Sequence, residues 1–468
     1  MAGISFSEAE AKLRYLESCG LFLLPLDDFG EWYRYHGQFR AMLYNRLRSH
    51  SAAGEVGALH QMAGAWFAGQ GFLDDALHHY SAAGAGELGA DLLEEQIPNL
   101  LRTQQWRQSA HWLHMLPQAT VRQRPQLLLL SAWLAYMETN MPKVRVLVEQ
   151  VEQLRGATYQ PGNDRNVPGD PVLGQVQALR ISVAYREQSA DEAIERGNQA
   201  LALLPPNYDA VRAQVFNLLG QWTLLRDGYE AAARLLQNEL NGADTYPPEY
   251  ALRLLYALIV VQFLTGHVDD MDLTAQRHAK LAHTLGIATQ IQTSHLACGL
   301  IHFERSESQE ACRQLAAIFE QPHLALFQTL RLASVPLLEL YAEQGRHDEG
   351  QAVVDVLWER LKTNPSSDER GEVEAIAAYK HLLSGNFAAA EALLRDGIGM
   401  LHYVQAPYRD LIFVRILQAR GQPGDLQQAL AIIQTSLAGY ESPRVSRGEI
   451  CMLVLAAQTH WLMGQQVQ

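Results

Sequence analysis

Four acidic doublets have the strongest claim to chemistry in this sequence: Asp74-Asp75, Asp191-Glu192, Asp269-Asp270 (with Asp272 beside it) and Asp348-Glu349. Paired carboxylates can hold a divalent cation through hard oxygen ligands, or divide acid and base duty between them. Each doublet, however, stands three and four residues after a recurring turn residue, namely Gly71, Gln188, Gly266 and Gly345. That is where the first turn of a helix falls, and there carboxylates offset free N–H groups and the helix dipole. A position that recurs in this way predicts capping. A carboxylate-bound metal in an all-helical enzyme would instead require Asp269–Asp272 to converge with another acidic cluster.

The other reactive side chains are scattered. Seventeen histidines include His78-His79, the i, i+3 pair His111 and His114, and the i, i+7 pair His295 and His302. A metal site needs three or more convergent ligands with outer-shell support, and no HExxH-like spacing is present. Four cysteines (Cys19, Cys298, Cys312, Cys451) lack CxxC spacing and a neighbouring histidine. No GxSxG elbow occurs. The sequence therefore predicts no catalytic residue, no metal site and no enzymatic activity. Tryptophans at Trp66, Trp106, Trp112, Trp133, Trp222, Trp358 and Trp461 mostly keep the spacing of helix cores.

The elements that carry these residues repeat. A small or polar turn residue is followed five positions later by a small or apolar residue that opens an amphipathic run. The pairs are Gly71 and Ala76, Gln105 and Ala110, Gln188 and Ala193, Gly228 and Ala233, Gly266 and Met271, and Ser306 and Ala311. The series continues with Gly345 and Gly350, Gly385 and Ala390, and Gly424 and Ala429. From residue 188 the step is roughly 39 residues, within the range of helical-hairpin repeats. One hairpin cannot bury its apolar face alone, so neighbours must stack into a superhelix. The predicted fold is all-α, a tetratricopeptide-like superhelix over residues 58–468, with a Gly- and Pro-rich loop insertion at about 155–171.

In such a stack the first helix of each pair lines the concave side. Polar residues interrupting those helices are the candidate ligand-binding groups: Gln221, Arg253, Gln262, His295, Arg331 and Arg415. An arginine inside an apolar helix, as in Leu252-Arg253-Leu254, needs water or a partner. The bland alternative for each is a solvated groove wall.

Charge narrows the partners. The formal net charge is −14, with only five lysines among the cations. An acidic surface without a basic stripe lacks the cations whose counterion release drives nucleic-acid binding, so no direct contact with nucleic acid is expected. The runs Leu127–Leu130 and Leu254–Val261 are shorter than the roughly 20 residues of a membrane helix, so no membrane contact is expected either. The N-terminal residues lack the apolar core of a signal peptide, and the predicted location is the cytoplasm.

Residues 1–50 differ from the rest. Leu21–Leu24 and Glu31–Tyr35 are β-prone runs around Asp27-Asp28-Phe29-Gly30, which reads as a hairpin, and a helix over Gln38–Arg48 follows. Trp32 and Tyr35 on that ribbon either dock on a neighbouring domain or cover this helix. Ser51–Gly57 reads as a short linker. The stretch GLFLLPLDDFGEWYRYHGQFRAMLYNRL, with the later run from Trp66 to Gly84, resembles the large ATP-dependent LuxR-type transcriptional regulators of the maltose-regulon activator class. The resemblance is close over about 60 residues and stylistic beyond.

In that family a nucleotide-binding ATPase domain precedes a winged-helix region, an inducer-sensing superhelix and a C-terminal helix-turn-helix. The resemblance thus implies a partial winged helix with one β-hairpin, then an effector-sensing superhelix. The partner would be a small-molecule inducer or a protein effector, together with the ATPase domain of the parent regulator. No GxxxxGK[ST] occurs and no Gly-Lys pair exists, so no cofactor is expected in this chain, ATP belonging only to the missing nucleotide-binding domain. Both ends look cut, since the apolar face of Met452, Leu455, Ala456 and Trp461 would need a further element. The alternative is a stand-alone tetratricopeptide-type scaffold that docks peptides or proteins.

Overall fold

The computed structural model describes residues 6–20, 22–27, 32–51, 53–138, 140–156, 169–183, 189–363, 367–395, 408–438 and 447–464. A helix α1 (Phe6–Ser18) leads into strands β1 (Leu23–Pro25) and β2 (Tyr33–Tyr35), then helix α2 (Gly37–His50). The strands pair antiparallel with Leu23 opposite Tyr35 and Pro25 opposite Tyr33. Two flanking bonds extend this short ladder, from the Leu26 N–H to the Trp32 carbonyl at 2.8 Å and from the His36 N–H to the Phe22 carbonyl at 2.7 Å. The tip expected at Asp28–Gly30 lies outside the described residues.

Helical pairs follow. They are α3 (Ala53–Gly69) with α4 (Leu73–Ala82), and α5 (Gly86–Thr103) with α6 (Trp106–Met115). After the short α7 (Gln118–Gln123) come α8 (Pro125–Met137) with α9 (Met141–Arg155), and α10 (Pro171–Val183) with α11 (Ala190–Leu203). The most regular stretch holds α12 (Asp209–Asp227) with α13 (Tyr229–Asn241), α14 (Pro248–Thr265) with α15 (Val268–Leu285), and α16 (Ala288–Glu304) with α17 (Ser308–Glu320). Then come α18 (Phe327–Glu343) with α19 (His347–Thr363), α20 (Ser367–Leu383) with α21 (Phe387–Arg395), and α22 (Tyr408–Arg420) with α23 (Pro423–Ala438). Helix α24 (Arg447–Leu462) closes the described chain. Pairs reverse direction through tight turns such as the one at Gly266, whose φ of 74° is open to a residue without a Cβ.

The turn-plus-small-residue pattern is physical. Ala76, Ala193, Ala311, Ala390 and Ala429 are all fully buried where the second helix first meets its partner. Three assignments shift. After Gly228 the fully buried residue is Ala232 rather than Ala233, because α13 starts at once with Tyr229 and the helix phase moves by one residue. The left-handed residue before α6 is Gln104 (φ 57°), not Gln105, and its counterpart before α23 is Gly421 (φ 66°), Gly424 lying inside that helix. The turn expected at Gln188 lies outside the described residues, as does most of the 155–171 insertion.

The membrane expectation also needs correction. Helix α14 has 18 residues and is long and apolar enough, by length and composition, to cross a bilayer. Counting the run only from Leu254 missed its first turns. In the fold α14 packs against α12, α13 and α15, with Leu254, Ala257 and Val261 fully buried. Packing inside a helical stack accounts for its apolar character.

The chain divides into two units, residues 1–96 with 107–127 and residues 97–106 with 128–468. The linker expected at Ser51–Gly57 falls inside the first. The second has several core clusters, in one of which Leu315, Leu330, Leu337 and Leu357 are fully buried. Helices approach closely at small residues. A Cβ on Gly299 would come within 2.6 Å of Leu315 Cγ and Cδ2. Gly299→Val should therefore lower stability by roughly 2 kcal/mol through overpacking, read as an earlier urea midpoint at unchanged slope.

Candidate functional site

The second unit holds a partly open pocket of about 150 Å³ lined by the first helices of four successive pairs. Gln214, Asn217 and Gln221 on α12 share one face by i, i+3 and i+7 spacing, and Arg253, Tyr256 and Val260 do likewise on α14. Helix α16 adds Gln290, Thr293, Leu296 and Leu300, and α18 adds Gln328, Thr329 and Leu332. Tyr136 of α8 accepts a hydrogen bond from Gln214 Nε2 at 2.9 Å, and Gln221 Nε2 donates to Asn217 Oδ1 at 3.3 Å. The walls are amides, hydroxyls and aliphatic side chains, with no Asp or Glu among the described lining residues.

Residues 97–106 form the remaining wall through Gln104. Three ties hold this segment. Arg102 Nε donates to Asp209 Oδ2 at 2.8 Å, at the start of α12. Arg253 Nη2 donates to the carbonyls of Leu101 at 2.5 Å and Arg102 at 3.2 Å, satisfying acceptors that the end of α5 leaves without helical partners. Thr289 Oγ1 donates to Gln104 Oε1. Gln104 itself holds a left-handed backbone, a conformation costly for a residue with a Cβ and tolerated where surroundings enforce it.

The electrostatics follow from burial. Desolvation raises the carboxyl pKa of Asp209, opposed by the Arg102 guanidinium and by the Ala210 N–H at 2.6 Å. Burial pulls Arg253 down to about 10, while Asp209 and Glu249 act the other way. Behind the wall, the fully buried His278 contacts Ser294 Oγ through Nδ1 at 2.9 Å and Gln290 Oε1 through Nε2 at 3.1 Å. His278 thus positions Gln290.

Of the six groove candidates, the structure brings Gln221 and Arg253 together at this cavity and directs the other four elsewhere. Gln262 is buried beside Tyr229, with its Oε1 lacking a hydrogen-bond partner. His295 Nδ1 meets Gln314 Oε1 at 2.8 Å. Arg331 Nε is 3.0 Å from Glu372 Oε2, both side chains being largely buried. Arg415 lies over the Tyr379 ring at 5.6 Å and bonds its hydroxyl. The physical reason is angular: on a helix buried on two sides, a polar residue faces a neighbouring helix as readily as the groove. Tyr136, Gln214, Asn217 and Gln290 were missed. The readable signal was a polar stripe at helical spacing on α12, whereas Gln104 arrives from far away in sequence.

On the hairpin, Tyr35 packs on Phe39 of α2 with ring centroids 5.6 Å apart, so it covers its own helix. Trp32 packs edge-on to Phe72 at 5.2 Å and against Trp66 at 6.0 Å, so it docks on the first helical pair. Trp66 and Trp461 are exposed, contrary to their core spacing, while Trp112, Trp133 and Trp222 are buried. The acidic doublets all lie in first turns, of α4, α11, α15 and α19. Asp269 and Asp272 bind Arg305 at 2.9 and 2.6 Å. Among the described residues no group of three or more His, Cys, Asp or Glu side chains is arranged to hold a metal ion.

Comparison with known proteins places these features. Residues 4–55 match the MalT winged helix domain family. Over 98% of its length the chain is 30% identical to the HTH-type transcriptional regulator MalT of Klebsiella pneumoniae (strain 342) and covers 50% of that protein. To the regulator of the same name from Cronobacter sakazakii (strain ATCC BAA-894) it is 26% identical, with the same two coverages. The chain thus spans about half the length of the curated relatives it matches. Among solved structures, the APC/C hetero-tetramer Cut9–Hcn1 matches with TM-score 0.37 and 12% identity over 92% of this chain and 87% of that one. Yeast Tom70 gives 0.37 and 11% over 88% and 90%. The fold assignment rests on the helical pairs themselves.

Proposed function

We propose that this chain, a MalT-like relative, is the effector-sensing superhelical region of such a transcriptional regulator, a binding module rather than an enzyme. The observation that carries this reading is the pocket lined by the first helices of four successive pairs and by Gln104. A concave pocket that combines apolar side chains with convergent polar groups suits a small molecule. Effector binding would shift a two-state equilibrium by its differential affinity for the two states. The strapped segment 97–106 is the element to bias, since its three ties meet the cavity wall. Within a whole regulator the response would pass to an ATPase domain and on to transcription.

The test is a thermal-shift screen of the chain against metabolites and oligosaccharides. The expected result is a saturable rise in Tm with a small molecule, lost when Leu332→Trp fills the cavity. A chain that answers no small molecule but binds a protein partner tightly would favour the scaffold reading instead.

A further inference from the structure

We propose that the effector is a small organic acid, an apolar body carrying one carboxylate that anchors on Arg253. This rests on the effector-sensing reading above and names the chemistry of the same cavity. The lining has one charged side chain, Arg253, and no described acid. The hydrogen bonds of Arg253 run from Nη2 to two main-chain carbonyls, neutral acceptors, and the carboxylates Asp209 and Glu249 act on it only through space. A guanidinium has five N–H donors, so those on Nε and Nη1 stay available. The nearest candidate counter-ion, Asp209, is held by Arg102 at 2.8 Å. A desolvated cation beside an empty space favours an anion there, and a carboxylate would form charge-assisted bonds with it.

The rest of the wall sets the body of the ligand. Ile259, Phe263, Leu296 and Leu300 line the cavity on α14 and α16. A space of about 150 Å³ holds a benzene-sized apolar group. Against those four side chains a neutral saccharide could lay only the C–H face of its ring, so an apolar body covers that part of the wall more fully. The amides of Gln221 and Gln290 would then orient the carboxylate end or a ring substituent rather than read a sugar.

Phenylacetate and hexanoate, with phenylacetamide and hexanamide as uncharged counterparts, test this by calorimetry and thermal shift on the full chain. Both acids should bind, each at least about tenfold more tightly than its amide. Arg253→Gln should erase the difference between acid and amide. Because that substitution also loosens the tie to α5, Leu300→Phe is the second variant: it fills the cavity, keeps Arg253, and should abolish acid binding. Acid binding that survives both substitutions, or amides that bind as well as acids, would overturn the proposal. Neutral oligosaccharides binding in the cavity while both acids fail would overturn it too, yet leave the effector reading intact. Failure of every small molecule would remove both.

Discussion

Arg331→Met should cost about 3 kcal/mol of stability, although the sequence presents Arg331 as a groove residue. Its Nε lies 3.0 Å from Glu372 Oε2, with the two side chains 7% and 12% exposed. Removing the cation takes an ion-pair partner from a largely buried carboxylate, and breaking a pair from one side is the expensive way to lose it. The double variant Arg331→Met, Glu372→Leu removes both charges and should recover most of the loss. Urea unfolding of the three proteins decides the matter. A single variant as stable as the parent would mean that the pair is solvated. Since neither side chain lines the cavity, the double variant should keep the small-molecule response of the parent.

Acid should weaken the fold through His278. Burial holds this imidazole down to about 4, against an ordinary histidine value near 6.5, with the bond to Gln290 opposing the shift only in part. The unfolded chain therefore takes up a proton between those values that the folded chain refuses. Stability contributed by the neutral ring is complete above about pH 6.5 and is lost as pH falls toward 4, by up to roughly 3 kcal/mol. His278→Gln should remove that dependence, so the slope of unfolding free energy against pH in this window should flatten by close to one proton. Identical slopes would show that His278 is protonated in the native state. The change also reaches the cavity, because the ring's Nε2 holds Gln290 in the wall.

The sequence made the helical pairs legible because their signals are local. A turn residue followed by a small residue specifies a reversal and a close contact within a dozen positions. The 3.6-residue period then identifies which helices are apolar. The same locality places the acidic doublets in first turns, but their partners are not local: Asp74, Asp191 and Asp269 bond to Gln108, Arg226 and Arg305. Phase was harder: one residue fewer between Gly228 and α13 moved the contact from Ala233 to Ala232, a shift that composition does not register.

Where polar side chains on buried helices point depends on neighbours that arrive from elsewhere in the chain. Arg253 and Arg331 look alike in sequence, each a cation inside an apolar first helix. One meets the carbonyl end of α5 beside a pocket, and the other meets Glu372. The sequence by itself determined a repeating helical stack behind a small hairpin, since burial of amphipathic faces follows from residue order. Only the tertiary structure decided that residues 97–106 strap across α12, α14 and α16 and bring Gln104 to the pocket there. Contacts between Gln104 and Thr289 are set by the angle at which successive pairs stack, and that angle accumulates from many small packing choices.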